Sequence, residues 1–155
     1  MSKVDYSELV KFQKQLKNLQ EADKTAFLTK AAKECANRLW AKVREYTPKG
    51  EYPAESGKVG GTLKRGWVVR DLDVQKLGQN TVVSIKVINP VHYASYVEYG
   101  HRQKVGRFVP ALGKRLVKGW VEGQFMLTKS EMELEEELPG IIERKLQQFF
   151  NGAIK

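Results

Sequence analysis

A helix cannot run through Thr47-Pro48, and the chain is written differently on the two sides of that step. Proline lacks the amide hydrogen that a helix interior requires, and its ring pushes the preceding residue out of the helical region. Before it, apolar residues recur at helical spacing. After it, Gly50, Pro53, Gly57, Gly60 and Gly61 break any periodicity up to Gly66, and the apolar residues that follow alternate as strands do. The order is therefore helices, a long connection, sheet, and a helical pattern again near the C-terminus. Connections beyond about 12–15 residues are uncommon in compact domains and tend to carry function or disorder.

Upstream, Leu9, Phe12, Leu16 and Leu19, with Asp5 or Ser7 as N-cap, predict an amphipathic helix over 5–19. Leu28, Ala31, Ala32, Cys35, Leu39, Val43 and Tyr46 predict a second over 22–46, stopped by Pro48. Cys35 lies on that apolar face and reads as a small buried hydrophobe rather than a reactive thiol.

Downstream, Trp67–Val74 and Thr81–Asn89 predict an antiparallel pair joined through Gln75–Asn80. In the second strand Val83, Ile85 and Val87 share one face, while Val82, Ser84, Lys86 and Ile88 make a mixed outer face that a helix or a neighbouring subunit could cover. Asn89-Pro90 ends the strand, and Tyr93–Tyr99 predicts a short helix closed by a left-handed Gly100. Gln103–Gly123 reads as a mobile basic loop or hairpin, with Phe108-Val109 and Leu116-Val117 as short strands. A last helix is expected from a capping box at Thr128-Lys129-Ser130-Glu131, kinked or broken at Pro139-Gly140. Its acidic first half, Glu131 to Glu137, reads as dipole complementarity plus solvation ahead of a docking surface. The expected fold is α+β: a small antiparallel sheet packed against two N-terminal helices and a C-terminal helix, as one domain over 1–155, with long loops at about 47–66 and 103–123.

The residues offer little for catalysis. There are two histidines, His92 and His101, without zinc-helix spacing, and Gly57-Lys58-Val59-Gly60-Gly61 lacks the spacing and hydroxyl of a phosphate-binding Walker loop. No catalytic residue, metal site or cofactor is expected. The single cysteine rules out an intrachain disulfide and suits a reducing cytoplasm. No secretory signal or bilayer-length apolar run is read, so a soluble chain without a membrane partner is expected. A net charge of +9, from 27 Lys and Arg against 18 Asp and Glu, favours a polyanion or an acidic protein partner over a neutral one. None of the recognisable nucleic-acid reading elements accompanies it.

The order of the short motifs is more specific than any one of them. Thr47-Pro48, then Gly61-Thr62-Leu63-Lys64-Arg65-Gly66-Trp67 entering a strand, then Tyr93-Ala94-Ser95-Tyr96-Val97-Glu98-Tyr99-Gly100-His101, then Phe125-Met126-Leu127 opening a helix, resembles the tail-completion or head-tail joining (neck) family of tailed bacteriophages, with members in prophages and phage-tail-like contractile particles. The resemblance spans about residues 25–150. It implies an α+β subunit without catalysis that forms a homo-oligomeric ring, sixfold, at the head-proximal end of the tail, where a collar or neck sits. Its neighbours would be tail tube, tail terminator, sheath or head-connector proteins. It would assemble in the host bacterial cytoplasm and end in the virion or particle. The basic insert Gln103–Gly123 departs from shorter members.

On this reading Trp67, Tyr93, Tyr96, Tyr99, Trp120 and Phe125 are packing anchors for a neighbouring subunit or partner, since large aromatics dominate desolvated contacts. Lys64, Arg65, Arg102, Lys104, Arg107, Lys114, Arg115 and Lys118 are interface charges, or lumen charges that touch DNA non-specifically. The competing classes are a stand-alone basic nucleic-acid-binding module and, behind it, a phage-encoded nuclease.

Overall fold

The structure, a computed structural model, describes residues 21–78 and 80–153. The helix expected over 5–19 lies outside the described residues. The first described element is α1 (Glu21–Tyr46), which ends two residues before Pro48 as the proline requires. A single 3-10 turn, Ala54–Ser56, interrupts the connection that follows. Its last five residues are not loop but a helical turn, α2 (Thr62–Gly66), which buries Leu63. The glycine-rich composition hid this turn: left-handed Gly61 (φ 91°) redirects the chain into it.

Next comes a hairpin, β1 (Val68–Leu77) and β2 (Asn80–Ile88), paired from Val68↔Ile88 to Leu77↔Asn80. Both strands run further into the turn than the residue types between them suggest, because a tight turn containing left-handed Gly78 (φ 63°) suffices. The ladder slips between Arg70 and Asp73, so two residues, Asp71 and Leu72, lie opposite Ile85 alone. Asp71 takes a left-handed backbone (φ 55°) at this bulge, and Lys86 Nζ lies 3.3 Å from its carboxylate. Then follow α3 (Ala94–Tyr99), β3 (Gly100–Arg102), β4 (Phe108–Val109), β5 (Lys114–Arg115), β6 (Trp120–Glu122) and α4 (Met126–Ala153). The fold is α+β, and the described strands form three separate two-stranded antiparallel ladders, β1-β2, β3-β6 and β4-β5.

α4 passes through Pro139 and Gly140 as one continuous helix, so of the expected kink or break the break does not occur. It packs antiparallel to α1: Phe27 meets Phe149 at one end (ring centroids 5.2 Å apart) and Lys42 meets Glu133 at the other. Between them Ala31, Ala36 and Ile141 are buried. The helices are also laced by charge. Lys42 Nζ lies 2.8 Å from Glu133 and 2.9 Å from Glu137, Arg38 reaches Glu137 at 3.2 Å, and Glu34 gathers Arg38, Arg144 and Lys145. Glu133 and Glu137 therefore serve an internal seam, a role their position in an acidic run does not reveal.

Candidate functional site

The segments whose order carried the resemblance meet in one place. Val43 of α1, Leu63 of α2, Trp67 at the entry to β1 and Met126 at the start of α4 form the buried core, bordered by Leu39, Trp40, Val87, Val91, Tyr93, Ala94, Val97 and Leu127. Two indoles and a hydroxyl lock it. Thr47, almost fully buried, donates its hydroxyl to the Val43 carbonyl and accepts Trp67 Nε1 at 2.7 Å, while Trp40 Nε1 donates to the Trp67 carbonyl at 2.8 Å. The two ends of the 47–66 connection are thus pinned to each other. Asn89 adds a third tie, donating to the Leu63 carbonyl at 2.8 Å from the far end of the hairpin.

The aromatic block is fixed by a residue that helical spacing did not single out. Glu98 is 5% exposed, and its carboxylate accepts the Leu127 amide at 2.9 Å, the Thr128 amide at 3.0 Å and the Thr128 hydroxyl at 2.9 Å. It caps α4, whose first amides otherwise have no partner and whose N-terminus favours negative charge. This replaces the expected Thr128–Glu131 capping box: α4 starts two residues earlier, and the cap comes from 30 residues upstream. The Gln124 amide donates to the Val97 carbonyl at 2.8 Å and the Phe125 amide to the Glu98 carbonyl at 3.1 Å.

Two glycines permit this approach. A Cβ on Gly100 would stand 2.5 Å from the Val121 carbonyl oxygen, and one on Gly123 would stand 2.4 Å from the Glu98 carbonyl oxygen. Gly100 has φ 83° and ψ 171°, an extended conformation open to glycine rather than the expected left-handed helix cap.

Of the predicted anchors, Trp67 is corrected. It is 6% exposed, lies in the core and has its indole nitrogen satisfied by Thr47, so it holds the subunit together and offers no surface to a neighbour. Tyr93 is half-buried against the same core. Tyr96, Tyr99, Trp120 and Phe125 are exposed, from 42% at Phe125 to 64% at Tyr99. Arg102 and Trp120 pair across the β3-β6 ladder. Exposed aliphatics extend this surface: Leu77, Val82 and Ile88 stand on the outer face of the β1-β2 hairpin, which the alternation of β2 had marked as incompletely polar.

The basic residues divide by element. Lys64 and Arg65 lie on α2, and Arg65 Nη1 donates to the Gly60 carbonyl at 3.2 Å. Arg102 is at the end of β3. Lys104, Arg107, Lys114, Arg115 and Lys118 are exposed along an ordered arm. This arm is a hairpin, not a mobile loop: Gln103 N bonds Gly119 O at 3.0 Å, Gly106 N bonds Leu116 O at 2.8 Å, Leu116 N bonds Arg107 O at 2.9 Å, and β4 pairs with β5. The second short strand falls at Lys114–Arg115 rather than Leu116–Val117 because Pro110–Leu112 and left-handed Gly113 make the turn.

The clearest electrostatic perturbations lie on the α1–α4 seam. Hydrogen bonds from Lys42 hold Glu133 and Glu137 below the usual carboxylate range, and Lys145 does the same for Glu34. Glu133 and Glu137 in turn raise Lys42. Burial pushes the Cys35 thiol up, which keeps it protonated. His92 stacks edge-on against Tyr93, and His101 lies beside Tyr96, its Nδ1 3.5 Å from the Tyr96 carbonyl oxygen. Among the described residues no group of three or more His, Cys, Asp or Glu could hold a metal ion, and no helix is long and apolar enough to cross a membrane.

Comparison with known families gives a match to the model described as "Bacteriophage HK97-gp10, putative tail-component" over residues 10–100, more than half of the chain. The match takes in α1, α2, the β1-β2 hairpin and α3, and ends at Gly100, where the close approach to Val121 begins. It stops short of the arm and α4, so the resemblance read from the sequence extends further than the family model does. No curated protein and no solved structure matches the chain significantly. The chain belongs to the HK97-gp10-like family of bacteriophage tail components.

Proposed function

We propose that the protein is a non-enzymatic tail-completion subunit that forms a ring, sixfold, at the head-proximal end of a phage or phage-tail-like particle. The observation that carries this reading is the contrast between a small core and a large apolar surface. Four buried side chains centre the core, while Tyr96, Tyr99, Trp120 and Phe125 and the outer aliphatics of the β1-β2 hairpin remain exposed on ordered elements. Exposed apolar area on rigid elements marks a protein that completes itself against neighbours. The tail-component family supports the same role.

In that ring the aromatic surface packs against the next subunit. The basic residues face a tail-tube, terminator, sheath or connector protein, or the phosphates of DNA in the lumen through salt-sensitive attraction. Mixing the purified protein with tail tubes tests this: co-sedimentation as a ring-sized oligomer is expected, and a chain that stays monomeric in the mixture would sink the proposal. A stand-alone nucleic-acid module predicts the opposite pattern, tight salt-dependent DNA binding by the monomer with no association with tubes.

A further inference from the structure

Two surfaces of opposite sign face solvent on this chain, and each carries what the other lacks. The arm from Gln103 to Gly119 holds five cations, Lys104, Arg107, Lys114, Arg115 and Lys118, and no acid. It is also apolar: Phe108 is 50%, Leu112 44% and Val117 82% exposed. Among the described residues its backbone hydrogen bonds run across the arm itself, and all five cations are exposed.

On a side of α4 that α1 leaves open, Leu138, Ile142, Leu146 and Phe150 recur every fourth residue and line an open groove. Glu135 and Glu143 stand on its borders. Unlike Glu133 and Glu137, these two carboxylates form no ion pair among the described residues.

We infer that the basic, apolar arm of one copy seats in the acidic-rimmed apolar groove of α4 on the next copy. The contact joins two different patches of the same chain, so it is head-to-tail, and a head-to-tail contact closes into a ring when its rotation permits. Apolar residues at the centre supply burial, and the rim charges set register and exclude wrong partners. This inference rests on the ring reading above and names the surfaces that would build it.

Charge exchange tests it. Lys104→Glu, Lys114→Glu and Lys118→Glu together reverse the arm, and Glu135→Lys with Glu143→Lys reverses the groove; none of these side chains has an ion-pair partner within the described subunit. Each variant alone should lose assembly, its apparent Kd weakening roughly tenfold or more, because arm and groove then carry like charge. An equal mixture should reassemble with the two alternating, since each arm again meets an opposite groove. Sedimentation velocity reads assembly, and native mass spectrometry reads the one-to-one composition.

Either variant assembling as the unaltered chain does, or a mixture that stays dissociated, overturns the contact. That includes the case in which residues 5–19 of the same chain occupy the groove. If a reversal unfolds the protein, Lys118→Glu and Glu143→Lys test the contact singly, each weakening assembly of its own chain and the equal mixture restoring it. An unaltered chain that stays monomeric at its solubility limit overturns the ring reading together with the contact. Assembly of the unaltered chain that the reversals do not disturb overturns the contact alone.

Discussion

Glu98 and Thr128 hold the two halves of the molecule together: one carboxylate oxygen of Glu98 accepts both the amide and the hydroxyl of Thr128, and the other accepts the amide of Leu127. The aromatic block around α3 is thereby bound to the N-terminus of α4. Replacing Glu98 with Ala leaves those donors without their acceptor in a buried site, at a cost of about 2–3 kcal/mol. Glu98→Gln keeps an acceptor but loses the charge that complements the helix terminus, for about 1 kcal/mol. Urea denaturation should show the larger loss for Ala and the smaller for Gln, and a Glu98→Gln variant as stable as the unaltered chain would contradict a charge-dependent cap.

Thr47 and Trp67 make the second lock. Thr47→Val keeps shape but removes the acceptor of a buried indole N–H, and should destabilise the fold by about 1–3 kcal/mol. The expected readout is a lower denaturation midpoint with an unchanged m-value, because the surface exposed on unfolding does not change.

Glycines predict opposite outcomes by position. Gly100→Ala and Gly123→Ala would press a Cβ to within 2.5 and 2.4 Å of carbonyl oxygens, so the β3-β6 ladder must open, and each should cost more than about 2 kcal/mol. Gly140 lies inside α4 with nothing within 4 Å of its would-be Cβ. Gly140→Ala should stabilise by about 0.5–1 kcal/mol through helix propensity alone. Thermal melts of the three variants check this.

The α1–α4 seam should give stability an acid limb. Glu34, Glu133 and Glu137 titrate lower folded than unfolded, so the unfolded chain binds more protons as pH falls. Their contribution is present above the ordinary glutamate value of 4.5 and is lost as pH drops through the depressed folded values. Lys42, raised by the same partners, contributes below the ordinary lysine value of 10.5 and fails only as pH climbs through its higher folded value. Between those limits the seam should leave stability flat. Tm measured from pH 7 to 3 should fall less steeply in Glu137→Gln, which removes one titrating partner, than in the unaltered chain.

Much of the fold was legible because its signals are local. Pro48 ended α1, the alternation of Val83, Ile85 and Val87 marked β2, and the order of short motifs identified the family. What the sequence hid was non-local. The Glu98 cap joins residues about 30 apart, and a glutamate inside a six-residue helix reads as solvated until its partner is seen; its one available signal was a lone acid amid aromatics, two residues before a glycine. Trp67 was misread as a surface anchor because a large aromatic beside Lys64, Arg65 and Gly66 suits either role, and only the Thr47 hydroxyl decides it. The acidic run of α4 looked uniform, yet one helical face of it is committed to Arg38 and Lys42, which lie some 90 residues away.

The most direct test of the account is imaging of purified particles with this subunit labelled. A single ring of label at the head-proximal end of the tail is the predicted result. Label distributed along the tail, confined to its distal tip, or absent from assembled particles would contradict it.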